Sequence, residues 1–274
     1  MNSTAKAIFF DIDGTLINKK GGPYKDDLEA MEKAAADGHY LFLNTGRSFS
    51  HIPDKLRELK IWHGIAAGGG AHILLAESLA SAVNPDLVSA KFGYKTFYHK
   101  WINSELLSRL CSWYLKNKKQ LVLEGENDYY VVNPIGRSFN EHPVKIITGA
   151  DDFSIKYADD LITKLTISGS IGNEEQKLLE DFFTINRFPD YVEAIIKGES
   201  KAKAISIILD IIGIEQKYSI AIGDGINDID MISYAGLGIA MGDADERVKI
   251  AADAITGNCG ESGVAEAIMR YVLC

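Results

Sequence analysis

Asp11 and Asp13 stand one residue apart in Asp11-Ile12-Asp13-Gly14-Thr15, directly after the apolar run Ala7-Ile8-Phe9-Phe10. A run that short, ending abruptly in Asp and Gly, reads as a buried parallel strand opening into a loop. In open α/β sheets, ligands gather at the carboxyl ends of strands. Two carboxylates this close repel each other unless a cation neutralises them. Mg2+ meets that need, because it prefers oxygen and pairs one or two carboxylates with substrate phosphate. Asp-Gly is also an ordinary turn, so the chemistry depends on what else the chain brings to the same place.

Three further segments bring candidates. Gly223-Asp224-Gly225-Ile226-Asn227-Asp228 follows the apolar strand Ser219–Ile222. Its glycines permit a tight turn, and its polar side chains cluster at the start of the next helix. Asp224 there offers a metal oxygen and Asp228 supports the metal shell; the same acids would also suit plain capping of a helix N-terminus. Asn44-Thr45-Gly46-Arg47 follows the strand Tyr40–Leu43, and a hydroxyl with a backbone N–H opening a helix suits a phosphate oxygen. Lys201, after Gly198-Glu199-Ser200, opens another helix with an ammonium group. Together the four segments make a phosphoryl-transfer site. One carboxylate attacks phosphorus, a second moves the proton, and hydroxyl, amide and ammonium donors hold the phosphate oxygens.

The elements that must position these residues alternate in type. Strands at Ala7–Phe10, Tyr40–Asn44 and near Ile65-Ala66 are separated by helices over Lys25–Asp37 and Asp54–Leu59. The rhythm resumes with a helix over Lys201–Ile212, a strand over Ser219–Ile222, a helix over Ile226–Ala235 and a strand over Gly238–Met241. Helices from Asp245 and Gly263 close the chain. Between them the pattern changes to an α+β mixture, with a helix at Ser104–Asn117 and strands at Gln120–Leu123, Tyr129–Val132, Lys164–Ile167 and Tyr191–Ile195. The expected fold class is therefore α/β: a Rossmann-like parallel-sheet core over residues 1–83 and 190–274, interrupted by an α+β insert over residues 84–189.

Composition narrows the partners. The chain has 274 residues, 46% hydrophobic and 24% charged, and a formal net charge of −9. That charge argues against nucleic acid, because no basic field offsets phosphate repulsion. A metal and a few local cations can still reverse the sign at one site. Three cysteines (Cys111, Cys259 and Cys274) without metal-ligand spacing fit reduced thiols. No apolar run reaches bilayer-spanning length, and the start lacks a signal-peptide core. The expectation is a cytoplasmic monomer or homodimer with a small-molecule phosphate ester as partner.

At these residues the chain resembles the haloacid dehalogenase superfamily. Asp11-Ile12-Asp13-Gly14-Thr15 is similar to its first motif, Thr45-Gly46-Arg47 to the second, Lys201 to the third, and Gly223 through Met231 to the fourth. Gly238 through Ala244, with Ala252-Asp253, is similar to the Cof-type branch (subclass IIB), which carries a C2-type cap between the second and third motifs. The resemblance implies that Asp11 is the nucleophile and Asp13 the general acid/base. It further implies that Asp11, Asp13 (through its backbone carbonyl), Asp224 and Asp228 form the Mg2+ site, and that Thr45, Gly46, Lys201 and Asn227 bind phosphate or substrate. Gly69-Gly70-Ala71 departs from the branch's Asn-Gly-Ala.

The function so implied is a Mg2+-dependent phosphatase of small phosphorylated metabolites, sugar phosphates first, acting through an aspartyl-phosphate. A phosphomutase using the same intermediate and a non-catalytic phospho-accepting module are the alternatives. Choice of leaving group is expected of the cap, where Glu124, Glu126, Tyr129, Tyr130 and Arg137 are candidate polar contacts.

Overall fold

A computed structural model describes residues 5–17, 22–84, 86–87, 89–135 and 144–273. Arg137 and Cys274 lie outside the described residues; Cys111 and Cys259 are free thiols. In chain order the strands are β1 (Ala7–Phe10), β2 (Tyr40–Asn44), β3 (Gly64–Ala67), β4 (His72–Ala76) and β5 (Tyr94–His99), then β6 (Leu121–Gly125), β7 (Tyr129–Val132), β8 (Val144–Ile147) and β9 (Ile162–Ser168). The remainder are β10 (Phe183–Arg187), β11 (Tyr191–Ile196), β12 (Ser219–Gly223), β13 (Leu237–Ala240) and β14 (Ala254–Ile255). The chain forms two compact units. Residues 1–46, 52–98 and 200–274 make the first, and residues 47–51 and 99–199 make the second.

In the first unit the described strands form one sheet in the order β14-β13-β12-β1-β2-β3-β4-β5. Strands β14 through β3 pair in parallel. Each of the central four is short and apolar because both of its faces are covered: β1, Ala-Ile-Phe-Phe, is wholly buried, and so are Phe42, Leu43, Ala221 and Ile222. β4 runs antiparallel to β3 and was not anticipated from the sequence. The reversal is made by Gly68, Gly69 and Gly70, all at left-handed φ (61°, 65° and 94°), a conformation that side chains tolerate poorly. Asn is among the few residues that accept it, so Gly69 in place of Asn preserves the turn.

Gly70 also has no room for a side chain, since a Cβ there would lie 2.2 Å from the carbonyl oxygen of Ser200. Gly70→Ala therefore combines left-handed strain with a backbone clash beside Lys201. It should lower the melting midpoint by on the order of 5 °C in a thermal scan; an unchanged midpoint would show that the turn relaxes freely.

The second unit is a six-stranded sheet in the order β10-β11-β9-β6-β7-β8. All its pairings are antiparallel except β7 with β8. One face carries Leu121, Leu123, Tyr130, Leu165, Ile167 and Ala194 into a core shared with the helix Ser104–Asn117. Strand alternation sends Val122, Glu124, Tyr129, Lys164, Thr166 and Glu193 to the opposite face.

That alternation corrects one expectation. Tyr130, expected on a polar face, is 1% exposed in the apolar core, and its hydroxyl donates to Asp160 Oδ2 (2.8 Å). The unit boundaries also differ from residues 84 and 189. β5 extends the first sheet, and the β10–β11 hairpin completes the second, which moves the divisions to Tyr98/His99 and Glu199/Ser200. Among the described residues no helix is long and apolar enough to cross a membrane.

Candidate active site

Parallel pairing of β1 with β12 and β2 sets the carboxyl ends of three strands side by side. The backbone N–H of Asp11 continues the ladder one residue past β1, donating to the carbonyl of Ile222 (3.0 Å). Asp11 therefore leaves the sheet beside Gly223 and Asp224. The following residues wrap into a tight turn, with the N–H groups of Leu16 and Ile17 both reaching the carbonyl of Ile12 (3.0 Å each). Gly14, at φ 78°, makes the closest approach: a Cβ there would fall 2.2 Å from Asp224 Oδ2.

Lys201 arrives from the helix Lys201–Ile212, whose N-cap Ser200 accepts from the backbone N–H of Lys203 (3.1 Å). Its ammonium is buried, at 3% exposure, and donates to Asp11 Oδ1 (2.5 Å) and to Asp228 Oδ1. The segment expected as one helix from Ile226 instead opens as a 3-10 turn over Ile226–Asp228 before the helix Ile229–Tyr234. The tighter turn lets the Asp228 carboxylate fold back, so that its Oδ2 accepts from the N–H groups of Asp224 (3.1 Å) and Gly225 (2.9 Å). Asp228 is thus a capping group and part of the charge cluster at once. Asn227 folds over Gly225, with its Oδ1 2.4 Å from where a Cβ on that glycine would stand.

Asp11, Asp224 and Asp228 each present an oxygen within 4.8 Å of the others. Three carboxylates face one ammonium, and the electrostatics record the imbalance. Burial first, and then Asp228, push the Asp11 carboxyl well above its usual range despite Lys201. Burial and Asp228 likewise push Asp224 up to about 7, against a hydrogen bond from Thr15 Oγ1 to Asp224 Oδ1 (3.1 Å). Burial opposes the charge of Lys201, but Asp11 and Asp228 hold its pKa above the usual lysine range. An all-oxygen donor set short of positive charge fits a hard divalent cation.

Asp13 is exposed, outside this cluster of side chains, while its main chain stays within the turn. Thr45 and Gly46 are buried at the end of β2. One detail departs from expectation: the Thr45 N–H is taken by the carbonyl of Ala66 (2.8 Å), and no helix opens there. A helix N-terminus therefore does not contribute at Thr45.

Three residues that matter carried no assigned role in the sequence reading. Thr15 steadies Asp224, as above. Asn44, fully buried at the end of β2, donates from Nδ2 to the carbonyl of Lys201 (3.0 Å) and fixes the start of that helix. Asp230 Oδ2 accepts from the N–H of Ala202 (3.1 Å) at the same helix end. The available signal was a polar residue closing an otherwise apolar strand, as Asn44 does.

Known proteins resemble this chain along nearly its whole length. Residues 8–268 match the family model of haloacid dehalogenase-like hydrolases. The 5-amino-6-(5-phospho-D-ribitylamino)uracil phosphatase YcsE of Bacillus subtilis is 27% identical over 270 residues, covering 98% of this chain and 96% of its own. The chloroplastic endoribonuclease YBEY of Arabidopsis thaliana is 27% identical over 275 residues, and the match spans only 46% of its length. Among solved structures, the subclass IIB sugar phosphatase BT4131 superposes with a TM-score of 0.77 at 27% identity, over 98% of this chain and 100% of its own.

Proposed function

The chain belongs to the haloacid dehalogenase-like hydrolases and is a phosphatase, and we propose that it hydrolyses small phosphorylated metabolites, sugar phosphates first among them, through an aspartyl-phosphate on Asp11. The observation that carries this reading is the buried Lys201 ammonium held between Asp11 and Asp228, with Asp224 within reach of both carboxylates. The names of BT4131 and YcsE, a sugar phosphatase and a phosphatase of a phosphoribityl compound, support the substrate class.

In the proposed reaction a carboxylate oxygen of Asp11 attacks phosphorus. The ester P–O bond breaks, and Asp13 gives its proton to the departing oxygen. Asp13, now a carboxylate, takes a proton from water while the water oxygen attacks phosphorus. The bond from phosphorus to Asp11 breaks, phosphate is released, and Asp13 is protonated again. An exposed side chain on that turn suits such shuttling better than a buried one would. Lys201 orients the Asp11 carboxylate; Thr45, Gly46 and Asn227 bind phosphate oxygens. Asp11, Asp224 and the Asp13 carbonyl would hold Mg2+, with Asp228 behind them, and the ion when bound screens the attacking carboxylate from the phosphate charge.

Two measurements on the purified protein test this. Hydrolysis of p-nitrophenyl phosphate should fall by at least about a hundredfold on chelation with EDTA and return with added Mg2+; turnover indifferent to chelation would overturn the metal assignment. Against a panel of phosphorylated metabolites, the product should be inorganic phosphate. An isomeric ester formed instead would favour the mutase.

A further inference from the structure

One peptide group in the first unit is held at both ends by side chains remote from it in sequence. The carbonyl of Lys201 accepts from Asn44 Nδ2 (3.0 Å), and the N–H of Ala202 donates to Asp230 Oδ2 (3.1 Å). Both atoms belong to the peptide bond that joins Lys201 to Ala202. Asn44 closes β2, and Asp230 stands in the first turn of the helix Ile229–Tyr234. That helix also brings Met231 against Asn44, with Sδ 3.6 Å from Nδ2. The end of one strand and the start of one helix thus meet on the first residue of another helix. The residue so fixed is the one whose ammonium reaches Asp11 and Asp228.

Ordinary helix geometry does not require this arrangement. Lys201 opens its helix, where ends fray, and a helical carbonyl bonds to the N–H four residues on without further help. The Ser200 cap meets the N–H of Lys203, which leaves that of Ala202 to Asp230. Asn44, moreover, is a poor choice for stability. It is fully buried after the apolar residues of β2, and its Oδ1 meets no donor among the described residues. A buried amide oxygen without a donor destabilises, and a leucine would remove that penalty.

We propose that Asn44 and Asp230 are positioning residues, which clamp the Lys201–Ala202 peptide and thereby set the Lys201 ammonium between Asp11 and Asp228. The proposal rests on the phosphatase reading, which gives Lys201 its task, and adds two residues on which turnover depends. Misplacing a reacting group by about 1 Å lowers a rate by up to about a hundredfold, so a loosened Lys201 should lower kcat about tenfold.

Asn44→Leu removes the donor and the unpartnered oxygen together and keeps a branched side chain. In Mg2+-dependent hydrolysis of p-nitrophenyl phosphate it should lower kcat about tenfold and leave KM within about twofold of the parent. Its melting midpoint should hold or rise, so that stability and turnover move apart. The decisive comparison is made in the Lys201→Met background, where no ammonium is left to position. There Asn44→Leu should change kcat by less than about twofold, because residues that act through one group are not additive. A tenfold loss in both backgrounds marks a structural role and overturns the proposal, as does no loss in the parent.

Asp230 gives the same test from the other end of the peptide. Asp230→Ala should lower kcat about as far as Asn44→Leu, again only while Lys201 is present. Asp230→Asn keeps an oxygen for the Ala202 N–H and should recover most of that loss; equal losses in the two variants overturn the proposal. Asp230 is half-buried, so this pair decides the question if Asn44→Leu does not fold. A parent without Mg2+-dependent hydrolysis removes the phosphatase reading and this proposal with it. Turnover in which these losses do not depend on Lys201 removes this proposal alone.

Discussion

Asp11→Asn is expected to lower kcat for p-nitrophenyl phosphate by at least about 10^4-fold, the scale seen when a covalent nucleophile is removed. The substitution nearly preserves shape. It leaves the Asp11 backbone N–H on Ile222 and places an amide where Lys201 now meets a carboxylate. What it removes is the negative oxygen that attacks phosphorus and one carboxylate of the cluster with Asp224 and Asp228. Steady-state phosphate release measures the first loss. Intact-protein mass after brief exposure to substrate measures the intermediate, which should form on the parent and not on the variant. Activity within tenfold of the parent would mean that another group attacks phosphorus.

Lys201→Met should also lose most activity, by a smaller factor and for a different reason. The side chain is of similar length and fills the same buried space, but Asp11 and Asp228 lose their shared ammonium. Removing one partner of a buried ion pair costs about 3–5 kcal/mol, and loss of a positioned cation at a developing charge lowers kcat by about 10^2- to 10^3-fold. The pH dependence gives the sign. Asp11 and Asp224 already titrate above their unfolded values in metal-free protein, Asp224 at about 7. A carboxyl raised in the folded state contributes stability that is complete below its unfolded pKa and is lost as pH rises through its folded pKa. The melting midpoint of metal-free protein should therefore fall between about pH 4 and pH 7, and fall more steeply in Lys201→Met. A variant with the parent's slope would show that Lys201 does not hold these carboxylates together.

Much of the site could be read from the chain because its parts sit where two simple patterns meet. β1 and β12 are apolar runs just long enough to cross a sheet, and each ends in Asp and Gly, so the strand and the chemistry share one signal. Lys201 showed only as a lysine opening an apolar-faced helix, and it drew its role from the company of the other three segments. The sequence was less informative where neighbours in space are remote along the chain. Tyr129 and Tyr130 look alike as adjacent residues and differ only because a strand turns successive side chains to opposite faces. Glu124, Lys164, Thr166 and Glu193 come together on one face only once the registers of three strands are known. β4 and β8 carry little alternation of their own, and their pairing is decided by the strands beside them. Thr15 and Asn44 were hidden because each acts on another residue of the site, Asp224 and Lys201, and neither partner adjoins it in sequence.

The central strand of the first sheet bears on how the chain is made. β1 takes β2 as one neighbour soon after it is synthesised, but its other neighbour, β12, begins at Ser219, beyond all of the second unit. At ordinary ribosomal speeds that interval is roughly ten to forty seconds. Throughout it β1 has one open hydrogen-bonding edge, and Asp11 waits without the lysine and carboxylates that later surround it. The second unit carries every strand of its own sheet and can close during the wait. Assembly of the catalytic centre is thus one of the last events of biosynthesis, and a ribosome that stalls before β12 releases a chain with one edge of a wholly apolar strand unpaired, the kind of edge that chaperones shield and aggregates recruit.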